Sequence, residues 1–454
     1  MTHELADTPL DQTLPDSEEL YAAGQTALDA ALAAGASGAA VSLGSSTGLS
    51  LSLRNDALEN LEFQRDNDLS VSVWFGKQRG QASTGDLRPE SIREVVEAAC
   101  TIARHTQEDP AAGLPDPDTL ATEFGDPQLD HPSPLTAAQA QALARACEQA
   151  AFGADPQIRN SEGASLSAHR SRDVLMNSLG FRGQSGGTDY SLSVAVIAGE
   201  GEGMQRDYWY ERAIDAGVFD AARAIGERAA RRTVERLNPR KLGTRRAPVL
   251  FPPRLARGLI GHLVGAASGG ALYRRASFVL DRLDQTLFPV DVQIIQRPHR
   301  PGWIGAGWFD AEGVATAERP FIQQGRLATY LLGSYAARKL GMQSTGNAGG
   351  PQSLEVTPTV DGDEAALMRQ AGTGLLVTEL MGQGVSTSTG DYSRGAAGLW
   401  FENGVPVYPV AGITIAGNLL DMYRELTAIG SDVDPTATIR CGSILLGEMT
   451  IAGS

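Results

Sequence analysis

The sequence has few of the residues that build metal centres and disulfide frameworks. Its 454 residues include 3 cysteines and 6 histidines. The cysteines, Cys100, Cys147 and Cys441, are far apart, odd in number and without CxxC spacing. Disulfide frameworks and zinc ribbons need paired or closely spaced cysteines, so this pattern argues against both and fits a reducing cytoplasm.

An excess of basic side chains is also missing. The chain has 38 Lys and Arg against 54 Asp and Glu, which gives a formal net charge of −16. Nucleic-acid-binding proteins concentrate positive charge in order to displace counterions from phosphates. The balance therefore argues against a nucleic-acid partner, and solubility is the simpler explanation of the acidity.

No stretch has the pattern of an export signal or a membrane span. Residues 1–15 carry acids and prolines where a signal peptide has basic residues and an apolar run, and we interpret them as a disordered acidic leader. The uncharged run over 258–273 is too short and too rich in glycine to cross a bilayer. We expect a cytoplasmic protein without a membrane partner.

One predicted helix is free of acidic side chains and carries a single histidine. It follows Pro252 and Pro253, which suit a first helical turn because the N–H that proline lacks is not needed there. Apolar residues recur at helical spacing around His262, and no Asp or Glu occurs between Arg254 and Ala276. Peptidase helices that bind zinc supply at least two ligands and usually a carboxylate base. The pattern indicates a largely buried helix in which His262 is a core residue.

The N-terminal half shows one order of elements twice, a helix, about four strands and a second helix. The first such unit is predicted over 16–107 and the second over 135–240, with an Asp- and Pro-rich linker or wrapped loop at 108–134. From 241 to 454 the sequence changes to glycine-punctuated strands with a few helices, and Asn403-Gly404 is a strong hairpin signal. These patterns predict an α+β protein whose C-terminal half is a Gly-rich, β-dominated domain.

Two short glycine-rich stretches of the second half are candidate binding loops. Trp308–Gly313 sets Asp310 and Glu312 two residues apart, on one face if the chain is extended, where they would share a proton or bind a cation. The alternative is a turn with solvated acids. Ser344–Gly350 would offer backbone N–H groups to an anion or a peptide carbonyl, or form a tight structural turn.

The longest glycine-rich stretch, Gly382–Gly398, contains the other candidate substrate-binding residues, Asp391, Ser393 and Arg394. Small hydroxyl residues with one acid and one base would present backbone edges to an extended peptide. A nucleotide-binding loop and simple hairpin packing are the alternatives.

Nucleophilic catalysis has little support, because the sequence contains no GxSxG elbow. Cys441 lies in an RCGS segment near the C-terminus and would be a metal thiolate together with His262. Two ligands leave a zinc site incomplete, and a buried free cysteine is the alternative. We therefore assign no catalytic and no metal-binding residue to this chain.

The sequence contains a series of ordered motifs. Two lie in the first half, VWFGKQRGQASTGDL and IARHTQEDPAAGLPD. Those of the second half are SFVLD (277–281), FDAEGV (309–314), ARKLGMQSTGNAGG (337–350), GLLVTELMGQGV (374–385), TGDYSRGAAGLWFENG (389–404), YPVAGITIAGNLLDM (408–422) and the closing MTIAG. Together these motifs, over about residues 20–454, resemble the PmbA (TldE) branch of the TldD/PmbA family.

This resemblance implies a cytosolic assembly of two subunits. In the family, a TldD-type subunit carries zinc on an HExxxH helix, with a later cysteine, and cleaves unfolded peptides in an enclosed chamber. The PmbA-type subunit is its structurally similar partner. The implied roles are the trimming of peptide-antibiotic precursors and the degradation of antitoxins, and an older description is modulator of DNA gyrase.

The resemblance also implies which subunit this chain is. If His262 is aligned with the first histidine of that motif, Leu263 replaces the glutamate and Ala267 the second histidine. We therefore expect a structural, substrate-guiding partner of a TldD-type subunit, which holds the zinc, while this chain has no cofactor and forms a homodimer if it is alone. The alternatives are a self-sufficient metallopeptidase that uses His262 and Cys441 in an oligomer, and a non-catalytic, gyrase-interacting regulator.

Overall fold

The chain folds into two units, which the computed structural model describes for Leu10 and residues 12–453. The first unit comprises the chain up to Val234 together with Gly307–Ala315, and the second comprises the remaining chain. Helices and strands occur together in each unit, which confirms the predicted α+β class.

The leader predicted over 1–15 falls mostly on residues outside the described ranges. Of its described residues, Leu10 and Leu14 are buried. The backbone N–H of Leu10 donates to the carbonyl oxygen of Leu135 at 2.8 Å. The described part of the leader is therefore packed against the first unit.

The first unit repeats the order helix, three strands, helix. The spacing of Asp16 and Glu19 predicts a cap for its first helix, and the carboxylate of Asp16 accepts the N–H of Glu19 at 2.8 Å. The elements are α1 (Ser17–Ala33), β1 (Gly38–Arg54), β2 (Ala57–Phe75), β3 (Gln78–Thr84), α2 (Pro89–His105), α3 (Ala137–Ala154), β4 (Ile158–Asn177), β5 (Arg182–Ala198), β6 (Gln205–Ala213) and α4 (Ala222–Glu235).

These strands form one six-stranded antiparallel sheet in the order β3-β2-β1-β4-β5-β6. β1 and β4 meet at its centre, where Gly44 pairs with Asp173 and Leu51 with Leu166. Each half of the sheet therefore comes from one helix–strand–strand–strand–helix segment, in agreement with the repeated order seen in the sequence.

Each segment has three strands, whereas the sequence predicts about four. β4 alone runs through three stretches that the sequence separates, 158–162, 165–169 and 173–177. The glycine and polar residues between them resemble turn signals, but Gly163 lies at a β-bulge and the strand continues beyond it. Long strands whose exposed face is polar are easily divided in this way.

The core of this unit follows the alternation of its strands. Val41, Leu49 and the smaller Ser45 point to the same face of β1 and are buried. α1 and α2 supply apolar residues such as Leu28 and Val96 to the core on this side. Each large apolar side chain buried in this way stabilises the fold by about 1.5–3 kcal/mol relative to an exposed position.

The segment predicted as a linker or wrapped loop, 108–134, packs against the first unit. The N–H of Thr188 donates to the carbonyl oxygen of Leu129 at 2.8 Å. The hydroxyl of Tyr190 donates to the backbone carbonyl oxygen of His131 at 2.9 Å. The ring centroid of Phe124 lies 6.0 Å from that of Phe181. These contacts support the wrapped-loop interpretation.

The second unit contains short helices between many strands. In the described part of the chain, none of its helices or those of the first unit has the length and apolarity that a membrane crossing requires. Its elements are β7 (Arg245–Phe251), α5 (Pro253–Ala266), α6 (Gly269–Tyr273), β8 (Ile294–Gln296), β9 (Arg319–Gln323), β10 (Arg326–Leu327), α7 (Ser334–Leu340), β11 (Leu354–Val356), α8 (Glu364–Ala371), β12 (Gly374–Met381), β13 (Asp391–Glu402), β14 (Val405–Asn418), α9 (Leu419–Arg424), β15 (Leu426–Ile429), β16 (Ile439–Arg440) and β17 (Ile444–Ala452).

These strands form two sheets. The smaller has the order β10-β9-β8-β11-β16, and the larger has the order β14-β13-β12-β7-β17-β15. In the larger sheet β14 also pairs with β17, for example Ile415 with Ile451, so five strands close into a ring. The predicted Asn403-Gly404 hairpin joins β13 to β14, and both residues have the positive φ that a tight hairpin turn needs.

Candidate functional site

Helix α5 is the helix that the sequence singles out, and ion pairs hold its first turns. Pro253 is its first residue, where the missing N–H costs nothing. Nε of Arg254 and Nη1 of Arg257 lie 3.3 and 3.5 Å from Oδ2 of the buried Asp434. These contacts fix the start of α5 within the second unit.

The outer face of α5 carries almost no side chains. A Cβ added at Gly258, Gly261 or Gly265 would meet no atom of the described chain within 4 Å. His262 lies one turn from both Gly258 and Gly265, so it is a large side chain on a face of glycines. Each glycine costs the helix about 0.8–1.0 kcal/mol relative to alanine.

His262 is half-buried, so it is not the core residue that the helical pattern predicts. Its ring lies edge-on to the ring of Tyr392 on β13, with centroids 6.0 Å apart. Burial, followed by the positive charge of Arg394, lowers the pKa of His262. The imidazole is therefore neutral at neutral pH.

Tyr392 and Arg394 point to one face of β13, because residues two apart on a strand share a face. Tyr392 is only 1% exposed, and burial raises the pKa of its phenol to about 12. Its hydroxyl and Nε of Arg394 are buried and have no hydrogen-bond partner within the described chain. An unpaired buried donor costs about 1–3 kcal/mol. These two side chains and His262 form what we call the β13 cluster.

Two predicted residues, Asp391 and Ser393, are exposed and alternate with Tyr392 and Arg394 along the strand. The carboxylate of Asp391 accepts hydrogen bonds from Oγ1 of Thr389 at 2.6 Å and Nδ2 of Asn418 at 3.3 Å, and these bonds lower its pKa. The carboxylate is thus ionised at neutral pH. Asp391, Ser393 and Arg394 were predicted together, but Arg394 lies on the opposite face of the strand from the other two.

The other predicted pair, Asp310 and Glu312, lies in the first unit. The segment is not extended but forms a tight turn in which Gly313 has φ 86°. Oδ1 of Asp310 accepts the N–H groups of Glu312 and Val314 at 2.9 and 3.0 Å, and Asp310 is 3% exposed. This geometry supports the turn interpretation over a shared proton or a cation site.

The Ser344–Gly350 stretch has a buried polar network. Oγ1 of Thr345 donates to Oδ1 of Asn347 at 2.8 Å, and Nδ2 of Asn347 donates to Oε1 of Gln296 at 2.6 Å. Thr345 and Asn347 are buried. These bonds support the structural-turn alternative for this stretch.

The side chains near α5 do not fit a zinc ion. Cys441 is 1% exposed and its Sγ lies 3.1 Å from the carbonyl oxygen of Gly442. Burial and the charge of Asp432 raise the pKa of the thiol, whereas zinc needs a thiolate. Among the described residues, no three His, Cys, Asp or Glu side chains converge as a metal site requires.

The first unit has a polar surface of its own. Even-numbered residues of β1 point away from the core that α1 and α2 cover, and Ser46 and Ser50 are half-buried there. On β4 and β5, the hydroxyls of Ser167 and Ser191 lie 2.9 Å apart on the same face. This face offers hydrogen-bonding groups.

Sequence reasoning missed Tyr392, although its two neighbours were named. The missing signal is the strand alternation, which places Tyr392 with Arg394 and against the helix that carries His262. The sequence left hairpin packing open as an alternative for the glycine-rich stretch, and the structure places Asp391–Glu402 on a strand that pairs with β14.

Three domain families match successive parts of the chain. They are described as PmbA/TldA metallopeptidase domain 1, at residues 39–103, the central domain, at 130–237, and the C-terminal domain, at 244–453. The Metalloprotease PmbA of Escherichia coli O157:H7 is 46% identical over 429 residues, which cover 94% of this chain and 95% of that protein.

Solved structures are similar over nearly the whole chain. One from Bacteroides thetaiotaomicron, named as a proposed modulator of DNA gyrase, has a TM-score of 0.91 at 28% identity and covers 96% of this chain and 100% of its own. TldE from Thermococcus kodakarensis has a TM-score of 0.82 at 18% identity, over 95% of this chain and 100% of its own. At that identity the likeness concerns the fold alone.

Proposed function

Because this chain belongs to the PmbA/TldD family of metallopeptidases, we propose that it is the PmbA/TldE-type subunit of a two-subunit peptidase. A TldD-type partner holds the zinc ion and supplies the activated water that cleaves the peptide bond. This chain is the structural and substrate-guiding half, has no cofactor of its own and works in the cytoplasm.

The composition of α5 carries this proposal. A zinc-binding peptidase helix needs two ligands and a carboxylate base. In α5, His262 is followed by Leu263, and Ala267 stands where the second histidine of an HExxxH motif would be. Leu263 and Ala267 are fully buried, so neither position faces a place where a metal and its water would bind.

The substrates are unfolded peptides, such as peptide-antibiotic precursors or antitoxins. The hydroxyl-bearing sheet face of the first unit supports this, since it offers hydrogen bonds to a passing main chain. On β13 we retain Asp391, Ser393 and Arg394 as substrate contacts. Asp310 is not retained, because its carboxylate already accepts two hydrogen bonds of its own turn.

The test compares the purified chain alone with a mixture that contains a TldD-type partner. Zinc is quantified by atomic emission, cleavage is followed on an unfolded peptide, and the mass of each species is measured by light scattering. We expect no stoichiometric zinc and no cleavage from the lone chain, and chelator-sensitive cleavage from the mixture. A partner whose HExxxH glutamate is replaced by glutamine is the matched control and should abolish cleavage in the mixture.

Two outcomes would contradict the proposal. Stoichiometric zinc and chelator-sensitive cleavage by the lone chain would favour the self-sufficient peptidase, with His262→Ala and Cys441→Ala as the next variants. Binding of DNA gyrase by the lone chain, together with a mixture that does not cleave peptides, would favour the regulator.

A further inference from the structure

Two hydrogen-bond donors on β13 are buried without a partner in the described chain. They are the hydroxyl of Tyr392 and Nε of Arg394. Tyr392 is 1% exposed, whereas Arg394 is half-buried, so the phenol lies deeper than the guanidinium. Folded chains pair nearly all such groups, and an exception needs an explanation.

No acceptor within the described chain neutralises this cluster. None of its carboxylates forms an ion pair with Arg394, and the neighbouring carboxylate of Asp391 is exposed on the other face of the strand and accepts from Thr389 and Asn418. The rings of His262 and Tyr392 are 6.0 Å apart, and Arg394 lies two residues from Tyr392 on the same face of β13, so the three side chains lie close together. The β13 cluster thus has three groups that can donate and one uncompensated positive charge.

We propose that His262, Tyr392 and Arg394 form a pocket that binds a carboxylate group of a peptide. The planar guanidinium matches a carboxylate through paired N–H···O bonds. The Tyr392 hydroxyl is closed to solvent in the unbound chain, so the half-buried side chain of Arg394 has to shift to admit the carboxylate. The hydroxyl, which stays protonated, then donates a further hydrogen bond, and the neutral imidazole of His262 donates through its N–H. The proposal rests on the proposed function only in taking a peptide as the ligand.

The face of α5 around His262 leaves room for such a ligand. Gly258 and Gly265 lie one turn to either side of His262, and a Cβ at either would meet no described atom within 4 Å. Because glycine has no side chain, nothing at these two positions stands between the imidazole and the main chain of an approaching peptide. This accounts for glycine at positions where the fold itself would accept alanine.

The test measures binding to the chain alone by isothermal titration calorimetry with three peptides of one sequence. The first ends in a free carboxylate, the second in an amide, and the third in an amide preceded by glutamate. We expect the free acid to bind and the plain amide to bind at least tenfold more weakly. The third peptide shows whether a side-chain carboxylate serves as well as the terminal one. Equal binding of acid and plain amide, or no binding of any, would overturn the proposal.

Two variants locate the binding. Tyr392→Phe and Arg394→Gln should each weaken binding of the acid roughly tenfold to hundredfold, as expected for a lost hydrogen bond to a charged group. Tyr423→Phe is the matched control for the phenol, because its hydroxyl already donates to Leu259 within the core. Acid binding that both cluster variants leave unchanged would place the ligand elsewhere and refute the pocket.

This measurement is separate from that of the proposed function. It uses the lone chain at equilibrium and needs neither zinc nor cleavage. A chain that activates its partner but shows no carboxylate preference would refute the pocket alone. A chain that binds the acid but adds nothing to a TldD-type partner would refute the subunit role alone.

Discussion

Helices α4 and α5 both contain glycine in their interiors, but for different reasons. In α4 of the first unit, a Cβ at Gly226 would overlap the carbonyl oxygen of Cys147 in α3, so only glycine permits this close approach. In α5 of the second unit, a Cβ at Gly258 or Gly265 would meet no described atom within 4 Å. Packing within the described chain therefore explains the glycine of α4 and leaves those of α5 unexplained.

The same contrast separates two buried tyrosines of the second unit. The hydroxyl of Tyr423 donates to the carbonyl oxygen of Leu259 at 2.8 Å, whereas that of Tyr392 has no partner in the described chain. Sequences that satisfy the rules of folding everywhere except at a few positions usually depart from them at functional sites. Here the departures converge on α5 and β13, where His262 also lies.

The largest effect is expected from Gly226→Ala in α4. The added methyl group forces α3 and α4 apart, so the free energy of unfolding should fall by about 1–3 kcal/mol. Urea denaturation followed by circular dichroism measures the change. Gly153→Ala in α3 is the matched control, because a Cβ there would meet no described atom within 4 Å. An unchanged urea midpoint for Gly226→Ala would mean that the two helices do not pack this closely.

Replacing each of the two tyrosines with phenylalanine should have different effects on the free energy of unfolding. Tyr423→Phe removes a buried hydrogen bond and should lower the free energy of unfolding by about 1 kcal/mol. Tyr392→Phe removes an unpaired buried hydroxyl while keeping the ring, so the lone chain should be unchanged or slightly stabilised. Equal losses in the two variants, measured by urea denaturation, would show that the Tyr392 hydroxyl has a partner in solution.

Local chemistry made part of the fold predictable. The Asn403-Gly404 hairpin and the Asp16 cap depend on neighbouring residues, and the structure has both. The closing of β14 onto β17 depends on residues far apart in sequence, such as Ile415 and Ile451, and no local pattern encodes it. The strand count was too high because glycine and serine in the middle of β1 and β4 resemble turns.

The candidate site was predictable only in part. His262 and Arg394 stood out because the sequence has few histidines and only one base in its longest glycine-rich stretch. Their proximity could not be predicted, because α5 and β13 are separated by more than a hundred residues. The pairing of Asp310 with Glu312 also depended on the backbone conformation, which the sequence did not reveal. Two acids that are two residues apart share a face on a strand but not in a turn.

A smaller effect is expected from alanine on the open face of α5. Gly258→Ala and Gly265→Ala should each raise the free energy of unfolding of the lone chain by about 0.5–1 kcal/mol, because alanine restricts the unfolded chain and favours the helix. Both should weaken binding of the acid peptide if it passes His262. Urea denaturation at two protein concentrations checks the first expectation. A loss of stability would show that this face packs against something, such as a second copy of the chain.

His262 should give the smallest effect, a change in pH dependence. Burial, and next the charge of Arg394, lower the pKa of His262, so the unfolded chain binds this proton more readily than the folded one. The free energy of unfolding should therefore be fully retained above about pH 6.5, the unfolded pKa, and fall as the pH decreases towards the folded pKa. In His262→Gln the urea midpoint should fall less over this range, while His299, whose pKa burial also lowers, contributes equally to both proteins. A bound carboxylate would offset the charge of Arg394 and raise the pKa of His262, which an NMR titration of the imidazole with and without the acid peptide detects. Equal pH dependence in the two proteins would mean that the His262 imidazole is as well solvated in the folded chain as in the unfolded one.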